Sequence, residues 1–181
     1  MNLLQLSHAR RRKQCSGLSL LEILVAASIA SLVFAATAML WIFSARSFTA
    51  LGNYGDLDRA SRNALDNMSR EIRQTRGLSS FSPTRITFLD WDGGALTYAY
   101  DSTARTLTRQ KGGTNTLMLG QCDFLNFDIS QRNPSNNFTF YPETNASLAK
   151  LIDVSWKCSR QILGAKINTE SVQTAKIVIR N

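Results

Sequence analysis

The feature that most constrains this chain is the apolar run inside RRRKQCSGLSLLEILVAASIASLVFAATAMLWIF, residues 10–43, which carries one carboxylate, Glu22, near its start. Its charge-free part extends from Ile23 to Ala45, past the ~20 apolar residues with which a helix crosses a bilayer. A carboxylate within such a run costs about 2.5–3.5 kcal/mol or more at membrane depth, which makes Glu22 a functional residue by default. One such run allows one membrane-spanning helix, and the rest of the chain has the polar composition of a modest domain.

The formal charge of +8 is concentrated where it bears on topology. Arg10, Arg11, Arg12 and Lys13 stand before the run, and no acidic residue occurs among positions 1–17. The remaining chain has 17 basic residues against 13 acidic ones, a mild excess. A basic block directly before an apolar run holds the N-terminus on the cytoplasmic side and sends the C-terminal part outward. An ordinary signal peptide would place a small-residue cleavage site after a shorter apolar core. Here the small residue, Gly17, lies before the core, so a cut there removes the charges and keeps the greasy helix.

Beyond the span the pattern stays helical. In ARSFTALGNYGDLDRASRNALDNMSREIRQTRG, Tyr54, Leu57, Ala64 or Leu65, Met68 and Ile72 recur at spacings of three and four, the stripe of a helix with one buried face. Arg59, Arg62, Asp66, Arg70 and Arg73 mark the other side, with Asp66 and Arg70 at i,i+4. Gly52 and Gly55 are expected to loosen the helix, and Gly77 to cap it. From Leu78 the period changes to two. RITFLDWDGGALTYAYD, RTLTRQKGG, CDFLNFDIS, NFTFY, KLIDVSWKCSRQI and TAKIVIR alternate apolar and polar residues between turns, which reads as an antiparallel sheet. RNPSNN and GAKINTES read as loops. The expected class is α+β, with a long N-terminal helix followed by an antiparallel sheet. The expected divisions are a leader at 1–17, a transmembrane helix half at 18–45, an amphipathic half at 46–77 and a sheet domain at 78–181.

Few residues offer catalytic chemistry. The single histidine, His8, lies in the leader, so no Ser-His or Cys-His arrangement survives its removal. There is no phosphate-binding glycine loop, dinucleotide fingerprint or zinc-ligand cluster, and neither an enzyme nor a cofactor is expected. DWDGG at 90–94 could suggest calcium, but without a further acidic ligand it reads as a hairpin turn. Asn137 and Asn145 head glycosylation-like triplets that read as chance in loops. The arginine face could meet DNA phosphates, yet it lacks the interleaved aromatics of a single-strand binder, and nucleic acid is not the expected partner. Cys15 belongs to the leader, which leaves Cys122 and Cys158 as an even pair in the outward part. The pair is either a disulfide or two buried thiols; a bridge would close a loop of ~35 residues and contribute about 3–4 kcal/mol.

GLSLLE at 17–22, after a basic leader and before an apolar helix, resembles the prepilin motif of type IV pilins and type II secretion pseudopilins. The resemblance implies cleavage between Gly17 and Leu18, N-methylation of Leu18, and a role for Glu22 in assembly. The commonest first mature residue of the family is Phe, from which Leu18 departs. The family's plan, a helix whose second half packs on a C-terminal antiparallel sheet, fits the whole chain. LDRASRNALDNMSREIRQ and ITFLDWDGGALTYAYDSTARTLTR are similar to minor pilins of the PilW kind and to the minor pseudopilin J. The resemblance further implies a subunit of a pilus or secretion pseudopilus, initiating or tipping the filament. Its partners would be other pilin-like subunits, a prepilin peptidase and an inner-membrane assembly platform. It would sit in a bacterial inner membrane with its N-terminus cytoplasmic and its C-terminal domain periplasmic, then pass into a filament. The alternative is a pilin-like anchored module whose sheet domain binds DNA, surfaces or exported proteins.

The position of Gly17 makes a direct prediction. Amino-terminal sequencing of the protein from its native host is expected to begin at Leu18, and Gly17→Trp to leave the precursor uncut. A mature chain starting beyond residue 40 would exclude processing at this site.

Overall fold

A computed structural model of the chain describes residues 19–133, 135, 139–161 and 170–179. It divides into two compact units at Ser44/Ala45. One α-helix, α1, runs from Leu20 to Gln74 and contributes to both. Its start is set by Ser19, whose Oγ accepts the backbone N–H of Glu22 at 3.2 Å and satisfies one of the orphan donors of the first turn. Leu and Ala dominate the first turns, and both favour helix. Gly52 and Gly55 do not interrupt the helix, and a side chain at either would meet nothing within 4 Å.

The second unit is built on the buried stripe of α1. Leu57, Ser61, Ala64, Met68 and Ile72 are buried, spaced by three and four. Tyr54, expected at the head of that stripe, is 46% exposed. At that turn the half-buried residue is Asn53, whose Oδ1 accepts from Arg160 just past the last residue of β8, and Tyr54 beside it is left outside. The helix ends where Thr75 turns back on Ile72 and the Arg76 N–H donates to the Leu89 carbonyl at 2.8 Å. Gly77 therefore opens the first strand and does not cap the helix.

Among the described residues nine strands follow, all paired antiparallel. β1 (Gly77–Ser82), β2 (Arg85–Leu89), β3 (Ala95–Asp101), β4 (Thr106–Lys111) and β5 (Thr114–Leu119) form a five-stranded meander in chain order. β6 (Cys122–Arg132), β7 (Phe140–Glu143), β8 (Leu151–Ser159) and β9 (Glu170–Val178) form a second sheet ordered β7-β6-β8-β9. A short 3₁₀ turn, Ala146–Leu148, precedes β8, capped by the Asn145 side chain. The architecture is α+β, as the change of period implies, but with two sheets in place of one. The division falls at Gly120-Gln121, where Gln121 takes a φ of +59° and turns the chain out of the first sheet. β1 and β5, rich in Ser, Thr and Asn, lack the alternation that marks their neighbours. β9 starts at Glu170, earlier than its apolar end suggests. Of the expected RNPSNN loop, Arg132 belongs to β6 while Asn133 and Ser135 lie beyond it. Of GAKINTES, Glu170 and Ser171 belong to β9, and its other residues, Asn137 and the leader lie outside the described residues.

Both sheets contribute to one core. Ile86, Phe88, Leu96, Tyr98 and Leu107 come from the first, and Leu125, Phe127, Ile152, Val154 and Trp156 from the second, around Leu57, Ala64, Met68 and Ile72 of α1. Phe88 and Tyr98 meet edge to face with centroids 6.4 Å apart. The Trp156 indole N–H donates to Ser61 Oγ at 3.3 Å, so the one hydroxyl on the buried stripe has a partner.

Met68 and Tyr54 differ sharply in what their removal should do. Met68 is fully buried, so Met68→Ala is expected to cost about 2–5 kcal/mol in denaturant unfolding. Tyr54→Ala, on the exposed side, is expected to stay within ~0.5 kcal/mol of the parent. Equal losses at the two positions would mean that the stripe is drawn one turn too short.

Candidate functional site

In the first unit, α1 is exposed on every side. Leu20, Leu24, Phe34 and Trp41 are 82%, 60%, 75% and 77% exposed, and among the described residues nothing in the unit covers them. Among the described residues this is the one helix long and apolar enough to cross a membrane. Its few polar side chains fit that use. The hydroxyls of Ser28, Ser31 and Thr37 donate to the carbonyls of Leu24, Ser28 and Phe34 at 2.8, 2.8 and 2.9 Å. Each of these three hydroxyls is satisfied within the helix, which is compatible with an apolar surrounding.

Glu22 lies in the first turn, exposed, three residues after the capping Ser19. A carboxylate there meets the positive end of the helix dipole, a favourable interaction of about 0.3–1 kcal/mol. The S-x-x-E spacing at 19–22 is a helix-start signature, so the Ser19 cap beside Glu22 is legible from sequence. Gly17 and Leu18, the expected cleavage and methylation positions, lie outside the described residues.

On the second unit the expected arginine face is solvent-exposed: Arg59, Arg62, Asp66, Arg70 and Arg73 all face outward. An i,i+4 ion pair on it is Asp58–Arg62 at 2.8 Å, about two turns before the anticipated Asp66–Arg70. The buried side of the same helix holds a polar clamp with no local sequence signal. Glu71 Oε2 accepts the Tyr98 hydroxyl at 2.6 Å and Arg109 Nε at 2.7 Å, and Oε1 lies 2.7 Å from Arg109 Nη2. This forked pairing ties the last turns of α1 to β3 and β4. Burial acts to raise the Glu71 carboxyl, but the hydrogen bonds from Arg109 and Tyr98 outweigh it, and its pKa lies below the ordinary value. Burial and the Glu71 bond push the Tyr98 phenol well up.

The DWDGG segment is the turn of the β2–β3 hairpin, with Gly93 at a φ of +84° and the Asp90 N–H donating to Gly94 O at 2.8 Å. Asp90 is buried and ion-paired with Lys111. Its burial, which would raise the carboxyl, is outweighed by the Lys111 hydrogen bond, so this pKa too is lowered. Among the described residues no cluster of three metal-ligating side chains forms.

Cys122 and Cys158 are brought together. They are directly opposed across β6 and β8, both buried, and both carry free thiols. The Cys122 thiol donates to the Phe124 carbonyl at 3.2 Å and is pushed up in pKa by its hydrogen bond to Cys158 and by burial. Beside them, Arg105 is ion-paired with Asp123 and donates to the Ser159 carbonyl at 3.0 Å, while the Ser159 hydroxyl donates to Asp123.

No family model, curated protein or solved structure matches the chain.

The two lowered carboxyls fix a pH dependence. Their ordinary values are 4.5 for Glu71 and 3.8 for Asp90, and both lie lower in the folded state. Each therefore adds stability that is complete above its ordinary value and is lost as pH falls through its folded one. Urea midpoints are expected to hold from pH 7 to 5 and to drop below about pH 4. Glu71→Gln keeps the shape and removes the charge; it should lower the pH 7 midpoint and flatten the acid limb. An unchanged acid limb would show that the clamp does not contribute.

Proposed function

We propose that this protein is a minor pilin or pseudopilin, cleaved after Gly17 and incorporated through its apolar helix half into a type IV pilus or secretion pseudopilus. The observation that carries the reading is the placement of Glu22. It stands in the first turn of a helix that is apolar and uncovered through Ser44, while its continuation is covered by its own sheets. In the monomer the uncovered half has lipid as its natural surroundings. On assembly, neighbouring helices replace lipid, and the α-amino group freed at Leu18 supplies a cation within reach of a neighbour's Glu22. Each charge then loses part of its membrane penalty only in the assembled state, which makes the pair a register device. The order of basic leader, Gly17, Leu18, Glu22 and apolar helix supports the same reading. The folded second unit would then be carried outside the membrane as the recognition part of the subunit.

Glu22→Ala separates assembly from insertion. The variant is expected to be cleaved and membrane-bound at parental levels, because one costly charge has been removed from the apolar segment. Its crosslinking to other filament subunits is expected to fall at least tenfold, the equivalent of about 1.4 kcal/mol in the pairing equilibrium. Parental crosslinking would overturn the pairing role.

A further inference from the structure

The chain contains a buried pair of thiols that the assembly role does not use. Cys122 and Cys158 are 0% and 1% exposed and are register partners at the end of the β6–β8 ladder. The Ser159 N–H donates to Gln121 O at 3.0 Å, while the Cys122 N–H turns away to Arg105 O at 2.9 Å. The flanking pair thus takes the ladder bond, and the cysteines occupy a non-hydrogen-bonded position. Antiparallel strands bring Cα atoms to about 4.5 Å there, inside the range of about 4.4–6.8 Å that a disulfide spans.

The surroundings give the bridge something to hold. Arg105 and Gln121, with φ of +55° and +59°, are the non-glycine residues in the left-handed region among the described residues. Both adjoin Cys122: Gln121 precedes it in the chain, and Arg105 accepts its N–H. Such backbone persists only where its surroundings over-determine it. The two sheets part company at this junction, just after β5 ends at Leu119. A covalent link between β6 and β8 would fix the first residue of the second sheet next to both strained residues. The inner side of the pair is closed by α1, since Ser61 there is fully buried and bonded to Trp156 of β8.

We propose that Cys122 and Cys158 are an oxidation site, joined as an intrachain disulfide by a dithiol oxidase before α1 closes over β8. The proposal rests on the outward orientation of the domain, because the oxidant is found there. One cysteine thiolate attacks the oxidant's disulfide and releases one of its thiols. The second cysteine thiolate then displaces the oxidant from the mixed disulfide. Two protons and two electrons leave the chain, and the oxidant gains them as two thiols. Because the folded domain buries both sulfurs, the exchange belongs to the incompletely folded chain.

The experiment uses the full-length chain in its native membrane. Cells are quenched in acid, the protein is denatured, free thiols are alkylated, and peptides are mapped by mass without reduction. The expected result is a linked Cys122–Cys158 peptide in more than nine-tenths of the protein, with Cys15 of any uncut precursor alkylated as an internal control. In a host lacking the oxidase, both thiols are expected to be alkylated. The reduced domain should then be more sensitive to protease, its folding constant lower by roughly 10²–10³-fold. Two alkylated thiols in protein from the oxidase-containing host would overturn the proposal. Orientation is read separately, by protease digestion of the domain from outside intact spheroplasts, so free thiols in an outward domain sink the disulfide and leave the assembly reading standing. If the domain proves inward, the assembly reading falls. Refolding of the purified full chain with oxidised glutathione then decides the disulfide by the same peptide.

Discussion

The C-terminal part of this molecule depends on one seam, the contact of Leu57, Ala64, Met68 and Ile72 with the inner faces of two sheets. A sheet of three or more strands needs a covered apolar face to be stable in water, and each sheet here has helix α1 for that cover. Burial supplies the driving force but no direction, since apolar contact is indifferent to small slides. The polar contacts set the register. Glu71 is held in a fork by Arg109 and Tyr98, Ser61 receives the Trp156 indole, and Gln173 donates to Asp58 at 3.1 Å. Truncating Ser61 would leave the buried Trp156 donor without its mate, while the half-buried Glu71 and Asp58 contacts lose a partner with water still within reach.

The same helix has no such seam before Ala45. The hydroxyls of Ser28, Ser31 and Thr37 bond back to carbonyls of their own helix, and its large apolar side chains are left outside. That chemistry is compatible with a membrane anchor. Mid-chain the stripe narrows from all-round apolar to one-sided, and the exposed Arg59, Arg62, Arg70 and Arg73 are seen only in the second part. One continuous helix can therefore serve two solvents because its sequence changes from uniform to patterned without any break in backbone propensity, even at Gly52 and Gly55.

Legibility in the sequence divides by physical range. The span, the amphipathic stripe from Leu57 to Ile72 and the strands with clean alternation are local patterns, and the structure contains them. Periodicity places Tyr54 on the stripe, where the half-buried residue is the polar Asn53, and a lone Gly77 resembles a cap, because an apolar pattern does not register a polar residue that is covered. The split into two sheets is not legible, since alternation marks strands and not their partners, and the left-handed Gln121 is unannounced by residue type. The Glu71 clamp joins residues 27 and 38 positions apart, beyond any local pattern. The opposition of Cys122 and Cys158 comes from strand register across β6 and β8, which no spacing in the chain encodes.

Glu22 has two physical explanations that weigh differently. As the third residue after the Ser19 cap, it gains about 0.3–1 kcal/mol from the helix dipole. The apolar run behind it imposes a penalty of about 2.5–3.5 kcal/mol at full depth, falling toward the interface. At the edge of the membrane the two nearly balance, and a carboxylate can remain as a simple cap. Drawn deeper by packing among neighbouring helices, it outruns what the dipole returns and needs a cation of its own. A glutamine at the same position would retain the local geometry and lose only the charge. At depth the charge is therefore the feature that the dipole does not offset, and under the proposed assembly the amino group that cleavage at Gly17 would release is a cation of the right sign for it.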